Sequence, residues 1–116
     1  MDLTVENAEE VRSFYQKVTG WTFTEVGMGG YSDYSMNTPE SGKTVAGVCH
    51  ARGTNAALPP VWLIYIAVRN LDESMKACAE SGGRVVDGPR NMGQSRYCLI
   101  QDPAGAYSMI FEQGPE

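Results

Sequence analysis

Residues 5–42 read VENAEEVRSFYQKVTGWTFTEVGMGGYSDYSMNTPESG, and residues 68–105 read VRNLDESMKACAESGGRVVDGPRNMGQSRYCLIQDPAG. Placed 63 positions apart without a gap, the two stretches agree at eight of 38 positions, about three times what ordinary residue frequencies give. This agreement predicts an internal duplication. The matched pairs are Val5 with Val68, Asn7 with Asn70, Glu10 with Glu73, Gly20 with Gly83, Gly30 with Gly93, Ser32 with Ser95, Tyr34 with Tyr97, and Gly42 with Gly105.

The first copy has the pattern of one strand, one helix and three further strands. An alternating strand at residues 3–5 is followed by Asn7, a residue type that favours the N-cap of a helix. The helix is predicted to end at Gly20, which suits a left-handed helix terminus. Strands are predicted at 21–26, 31–37 and 44–50, between turn-rich stretches. The helix carries an apolar stripe of Val11, Phe14, Tyr15 and Val18.

The second copy repeats this order after a linker at residues 51–60. A strand is predicted at 62–68, and Asn70 is predicted to cap a helix with Leu71, Met75 and Cys78 on its apolar stripe. The pair Gly82-Gly83 stops that helix, and strands follow at 84–87, 96–101 and 106–112. The sequence therefore predicts an α+β fold of two βαβββ repeats, at about 2–50 and 61–113, in a single domain spanning 1–116.

Composition and charge exclude several classes of protein. The net charge of −5 and the scattered basic residues argue against nucleic-acid binding. No apolar run approaches the ~20 residues of a membrane span, and the first residues resemble no export signal. Three widely spaced cysteines indicate reduced thiols. We expect a cytoplasmic protein with a small-molecule ligand and neither a nucleic-acid nor a membrane partner.

Several short motifs, taken in order along the duplication, resemble one known family. These are Phe14-Tyr15, Gly20-Trp21, Gly82-Gly83, and Asp102-Pro103-Ala104-Gly105 before an apolar last strand. The chain resembles the vicinal-oxygen-chelate superfamily, which includes glyoxalase I, extradiol dioxygenases and bleomycin-resistance proteins. The resemblance covers nearly the whole chain. It implies that the two repeats curl into a concave cup of mixed sheet, the glyoxalase/bleomycin-resistance fold, and that the protein forms a homodimer.

The resemblance also implies where a divalent metal would bind. Enzymes of the family hold it with four His, Gln or Glu side chains, and alignment through the motifs puts three of those positions at Ala46, Leu63 and Met109, with the fourth at or before Met1. Ala and Leu offer no ligand atom, and a thioether suits Cu(I) and not the harder metals of the family. We therefore expect no metal and no other cofactor.

Strand alternation then predicts a ligand-binding face. If Leu63 and Met109 point into the cup, residues two positions apart along each strand share their face. Asp33, Ser35 and Cys98 are placed inward in the same way, and Tyr34 and Tyr97 are expected to pack in the sheet. The predicted ligand-binding residues are Thr4, Val48, His50, Leu63, Tyr65, Arg96, Tyr107, Met109 and Phe111. Asp2, Ala46 and Ala67 share this face, whereas Leu3, Val5, Ile64, Ile66, Val68 and Ile110 face the helices.

His50 is the single histidine and the candidate for acid/base catalysis. The alternative is a structural histidine at a strand end that bonds nearby backbone. Cys49 is predicted on the opposite face from His50, which disfavours a Cys/His nucleophilic pair. Trp21 and Trp62 are expected to be packing residues at the ends of elements.

Three functions from different classes remain open. The first is a metal-free binding protein whose cup holds a small, partly aromatic molecule, as bleomycin-resistance proteins do with a drug. The second is an enzyme, of lyase or dioxygenase type, with an atypical site in which His50 acts with Asp2, Tyr65 or Arg96. The third is a regulatory or interaction subunit. Residue types set the shape and polarity of a pocket but do not name its ligand.

Overall fold

The computed structural model describes residues 1–114, apart from the side chains of Thr54 and Met92. The chain divides into two compact units, Met1–Trp62 and Leu63–Glu116. The first unit contains β1 (Asp2–Val5), α1 (Ala8–Thr19), β2 (Thr22–Gly27), β3 (Ser32–Asn37) and β4 (Thr44–His50), with a 3-10 turn at Gly53–Asn55. The second contains β5 (Tyr65–Ala67), α2 (Leu71–Glu80), β6 (Arg84–Met92), β7 (Ser95–Gln101) and β8 (Tyr107–Glu112).

Each unit forms one four-stranded mixed sheet with the same connectivity. The strand orders are β1-β4-β3-β2 and β5-β8-β7-β6. The first strand of each unit runs parallel to the last, and the other pairs are antiparallel. The predicted α+β fold with two βαβββ repeats is therefore confirmed. Neither helix in the described part of the chain is long and apolar enough to cross a membrane.

One face of each sheet packs on the helix of its own unit, and we call this face the helix side and the opposite face the far side. In the first unit Val11 and Tyr15 of α1 pack on this core, but Phe14 and Val18 are 55% and 63% exposed. The predicted stripe is therefore too wide by these two residues, because the helix buries only the flank that meets the sheet. The buried core on the helix side of this unit includes Ala8, Tyr34, Met36, Ala46 and Val48.

The helix ends follow the predicted chemistry with one exception. Gly20 adopts φ +79° and its N–H donates to the carbonyl of Gln16 at 3.0 Å, as expected of a left-handed helix end. In the second unit the Asn70 side chain caps α2, and the Gly83 N–H donates to the Cys78 carbonyl at 2.9 Å. Asn7 stands at the predicted N-cap of α1, but its side chain forms no capping bond.

The gapless offset of 63 does not hold through the later strands. Val48 pairs with Leu3, Ile110 pairs with Ile66, and both Val48 and Ile110 lie on the helix side. These two residues are therefore equivalent positions in the last strands of the two units, and they are 62 positions apart. Tyr34 pairs with Val48 and Cys98 pairs with Ile110, so the structural counterpart of Tyr34 is Cys98 and not Tyr97. The irregular β6–β7 ladder precedes the shift at Tyr34 and Cys98. The shift at the last strands follows from a bulge between Met36 and Asn37 and from the longer β3–β4 loop of the first unit, 38–43 against 102–106.

Two strand boundaries in the second unit also differ from the sequence prediction. β5 is shorter than the predicted 62–68, and β6 continues past the predicted end at Asp87 to Met92. The pair Gly88-Pro89 is typical of a strand end, but pairing resumes at Arg90 opposite Tyr97. The ladder is irregular on both sides of Asp87, and Gly88 has φ +122°, so a glycine lets the strand bend without ending.

Candidate functional site

The far side of the second sheet carries a cluster of aromatic side chains. Tyr65 pairs with Met109, and Phe111 pairs with both Ala67 and Tyr97, so all of these side chains share one face. Ile110 and Cys98, one position along, belong to the helix-side core with Leu71. The structure therefore places Tyr65, Tyr107, Met109 and Phe111 together on the far side, and Val68 and Ile110 against the helix, as strand alternation predicts. Ligand binding by the far-side residues stays a prediction.

Four of the far-side residues enclose a cavity of about 260 Å³, which we call the aromatic pocket. Tyr97, which is 9% exposed, forms one wall, and Ser95 supplies a hydroxyl beside the three rings. Aromatic faces attract other rings by stacking, and tyrosine and serine hydroxyls can donate to or accept from a ligand. The pocket is lined by Tyr65, Ser95, Tyr97 and Phe111.

Two larger cavities lack this combination of groups. One, of about 360 Å³, lies where α2 meets its sheet and includes core residues such as Val68 and Ile110. The other, of about 310 Å³, is formed by the end of β1 and the linker, including Thr4 and Leu58. Neither is lined by an aromatic side chain. The aromatic pocket is smaller than these two cavities, but of the three it is the one that combines aromatic rings with a hydroxyl, as binding sites for small molecules do.

Two residues predicted on the ligand-binding face of the second unit lie on the helix side instead. Arg96 forms an ion pair with Asp72 of α2 at 3.1 Å, and Cys98 is fully buried in the helix-side core. The hydrogen bond and charge of Arg96 lower the pKa of the Asp72 carboxyl. Both predictions were wrong because the assumed register of β7 was shifted by one residue, which turns every residue of a strand to the opposite face. Tyr97 and Leu99 occupy the far side in their place.

In the first unit the same error affects β4. Val48 is fully buried and Ala46 is 5% exposed, and both pack in the helix-side core with Ala8. Their predicted position on the ligand-binding face was wrong. Asp2 and Thr4 do lie on the far side, where they pair with Gly47 and Cys49, and Asp33 and Ser35 alternate with the helix-side residues of β3 as predicted.

His50 has a carboxylate partner that the sequence did not identify. Its backbone N–H donates to Asp33 Oδ1 at 2.8 Å, and its Nδ1 lies 3.4 Å from the same oxygen. The carboxylate predicted to act with His50 was that of Asp2. The ring of Tyr31 contacts the imidazole edge-on at a centroid distance of 5.4 Å, and the Arg52 guanidinium lies 4.2 Å from the centre of the Tyr31 ring.

Cys49 is not activated by its surroundings. Burial raises the pKa of its thiol to about 12, and the negative charges of Asp2 and Asp33 act in the same direction. The thiol is therefore protonated at neutral pH, whereas a nucleophilic cysteine needs a lowered pKa. Cys49 and His50 lie on opposite faces as predicted, but the faces are exchanged: Cys49 pairs with Thr4 on the far side, and His50 shares the helix-side register of Val48. The predicted position of His50 on the ligand-binding face was wrong.

The residues at the family's metal positions do not fit a divalent metal. Ala46 lies in the helix-side core, and the structural counterpart of Met109 is Gly47, which has no side chain. Leu63 is fully buried and Met109 is 1% exposed, and neither carries a ligand for a hard cation. Within residues 1–114, no three His, Cys, Asp or Glu side chains lie close enough together to hold a metal ion.

Sequence comparison identifies curated relatives from actinobacteria. The chain is 29% identical to the anthracycline biosynthesis protein DnrV of Streptomyces peucetius over 97% of its own length and 46% of that protein. It is 31% identical to CFP32 of Mycobacterium tuberculosis, whose glyoxylase name is provisional, over 91% of the chain and 41% of that protein. The chain thus spans less than half the length of the curated relatives it matches.

Solved structures share the fold at low sequence identity. A methylmalonyl-CoA epimerase from Mycobacterium tuberculosis matches with a TM-score of 0.56 and 18% identity, over 98% of this chain and 85% of that one. A protein from Legionella pneumophila described as an NAD-dependent benzaldehyde dehydrogenase matches with a TM-score of 0.60 and 14% identity, over 97% and 96%. The family model for the Glyoxalase/Bleomycin resistance protein/Dioxygenase superfamily matches residues 1–110. The chain therefore belongs to the glyoxalase/bleomycin resistance protein/dioxygenase superfamily.

Proposed function

We propose that the protein binds a small molecule through a planar aromatic ring held in the aromatic pocket, without a metal ion. The observation that carries this proposal is the convergence of Tyr65, Tyr97 and Phe111 on one cavity with the hydroxyl of Ser95. Ring stacking contributes about 0.5–1.5 kcal/mol per aromatic pair beyond the burial of area. Three rings and one hydroxyl favour a ligand that is flat, largely apolar and able to form a hydrogen bond.

The size of the pocket limits how much of a ligand it can enclose. Sites for drug-sized molecules usually measure about 300–1,000 Å³. At about 260 Å³ the aromatic pocket suits a system of one to three fused rings, and a larger ligand would extend beyond it. The bound portion is therefore expected to be the ring system itself.

The relatives support a polycyclic ligand class. DnrV and DauV, another relative, are both named as anthracycline biosynthesis proteins. Anthracyclines contain fused planar rings with carbonyl and hydroxyl groups, which match the lining of the aromatic pocket. We therefore place fused-ring quinones and phenols first among the ligands of this chain. Leu63 and Met109, which stand at two of the family's metal positions, offer no ligand for a hard cation, and this supports binding without a metal.

Calorimetric titration with a water-soluble anthraquinone, in the presence of a chelator, tests the proposal. We expect saturable binding that is unaffected by the chelator. Tyr97→Leu keeps an apolar side chain but removes the ring, and should weaken binding about tenfold, which corresponds to about 1.4 kcal/mol. Phe14→Leu changes an exposed ring of α1 and serves as the matched control. Equal affinity of the two variants, or binding that needs a divalent ion, would contradict the proposal.

A further inference from the structure

A buried carboxylate contacts the only histidine of the chain in the first unit. Asp33 is 8% exposed, and its Oδ1 accepts the backbone N–H of His50 at 2.8 Å. The Nδ1 atom of the same residue lies 3.4 Å from that oxygen, while the imidazole side chain keeps 18% of its surface exposed. The backbone bond fixes the carboxylate beside the ring, so the position of Asp33 does not depend on the side-chain contact.

Asp2 and Cys49 also lie near this pair, since the charges of Asp2 and Asp33 and a hydrogen bond to Asp33 add to the effect of burial on the pKa of the Cys49 thiol. Arg90 forms an ion pair with Asp87 and Arg96 with Asp72, so neither of these arginines pairs with Asp33. Arg52, which follows β4, lies over the ring of Tyr31. The ring centres of Tyr34 and His50 are 6.0 Å apart. The neighbouring Cys49 is uncharged at neutral pH because burial raises its thiol pKa to about 12.

The tautomer of a neutral histidine follows from the partner of each ring nitrogen. An ionised carboxylate accepts hydrogen bonds and cannot donate one, so a ring nitrogen beside it is favoured as the N–H nitrogen. The other nitrogen then carries the lone pair and can accept a proton. The 3.4 Å separation of Nδ1 and Oδ1 is at the long end of the range for a hydrogen bond.

We propose that Asp33 is a positioning residue that holds neutral His50 as the Nδ1–H tautomer, so that Nε2 carries the lone pair and is the proton-accepting nitrogen of the ring. This role does not rest on the aromatic pocket, which lies in the second unit.

The single histidine makes a direct test by NMR feasible, because the ring nitrogens of His50 give the only imidazole signals of the chain. The protein is labelled with nitrogen-15 in the histidine ring, and the spectrum is recorded where the imidazole is neutral. We expect the chemical shift of a protonated nitrogen at Nδ1 and of an unprotonated nitrogen at Nε2. A proton mainly on Nε2 in the wild-type protein would overturn the proposal without any variant.

Two substitutions separate the positioning role from general structure. Asp33→Asn keeps the size of the side chain but removes its charge, and the ring proton should move towards Nε2. Asp72→Asn makes the same chemical change at an exposed carboxylate of the second unit and should leave the tautomer unchanged. If Asp33→Asn does not fold, as judged from its amide spectrum, Asp33→Ser is used in its place. A folded Asp33 variant that keeps the wild-type tautomer would overturn the assignment.

Discussion

The side-chain Oδ1 of Asn70 accepts a hydrogen bond from the backbone N–H of Glu73 at 3.0 Å and so caps α2. At the matching position of the first unit, Asn7 donates from its side chain to Glu10 Oε2 at 2.8 Å and caps no backbone group. The two asparagines thus occupy equivalent places in the duplication but form different contacts. Only the first contact satisfies one of the backbone donors that a helix start leaves unpaired.

This difference predicts unequal effects of the same substitution. Asn70→Ala should lower the free energy of unfolding by about 1 kcal/mol, the usual cost of losing a capping side chain. Asn7→Ala removes an exposed side-chain contact and should cost less than about half of that. Urea unfolding of both variants, followed by circular dichroism, measures the two values. Equal losses would show that the capping contact is not what distinguishes the two helices.

Tyr15, Trp21 and Trp62 form an aromatic cluster in the first unit, and one hydrogen bond links two of them. Trp62 Nε1 donates to the Tyr15 hydroxyl at 3.0 Å, and the Tyr15 ring lies against both Trp62 and Trp21 at centroid distances of 5.3 and 5.9 Å. Tyr15→Phe keeps the rings but leaves the indole N–H without this acceptor. We expect a loss of about 0.5–1.5 kcal/mol in unfolding free energy. A double-mutant cycle with Trp62→Phe should reveal coupling between the two residues, and strictly additive losses would contradict the prediction.

Glycine is required at position 83 by the close approach of neighbouring atoms. A Cβ there would lie 2.8 Å from the backbone oxygen of Gln101 and 2.8 Å from the Cys78 Sγ. Gly83→Ala should therefore destabilise the protein by about 1–3 kcal/mol, because a backbone atom cannot move aside cheaply. Gly27→Ala is the matched control, since a methyl group at that position would have no neighbouring atom within 4 Å. Thermal unfolding of the two variants checks the prediction, and a Gly83→Ala protein as stable as the control would refute it.

Alkaline pH should destabilise the folded protein through its buried thiols. Burial raises the pKa of Cys49 to about 12 and that of Cys98 to about 11, whereas an unfolded thiol ionises near ~8.5. Between these values the unfolded state binds fewer protons than the folded state, so the free energy of unfolding falls as pH rises. Below about pH 7 the two thiols contribute almost no pH dependence, because they are protonated in both states.

Cys49→Ala isolates the part due to one thiol. Its unfolding free energy, measured in urea at about pH 8 and about pH 10.5, should fall less between the two conditions than that of the wild-type protein. Titration of tyrosine and lysine affects both proteins alike and cancels in the comparison. An identical fall in the variant and the wild type would mean that the Cys49 thiol titrates in the folded protein as it does in the unfolded chain.

The fold could be predicted because its signals are local and repeated. The N-cap asparagines and Gly20 mark the ends of helices, and the apolar stripes mark the helices themselves. The two halves of the chain also give the same order of elements. Boundaries failed where a local signal has two meanings. Gly88-Pro89 is a strand breaker in most sequences, but here it marks a bend within β6.

The candidate site was predicted less well because a face depends on register. Tyr65 and Phe111 were placed correctly, but Arg96 was predicted on this face instead of Tyr97, because the gapless offset was carried past the irregular β6–β7 ladder that precedes both residues. The sequence does carry a signal for the correct face, because the large side chains of Tyr97 and Leu99 alternate with the smaller Cys98. The contact between Asp33 and His50 joins residues 17 positions apart on two strands, and no sequence spacing indicates it.

Chemical-shift mapping with a water-soluble anthraquinone tests the central claim most directly. Amide spectra of the nitrogen-15 protein are recorded during titration, with a chelator present throughout. We predict that the largest shifts occur at Tyr65, Ser95, Tyr97 and Phe111, which line the aromatic pocket. Shifts confined to other parts of the chain, or none until a divalent metal is supplied, would contradict the account.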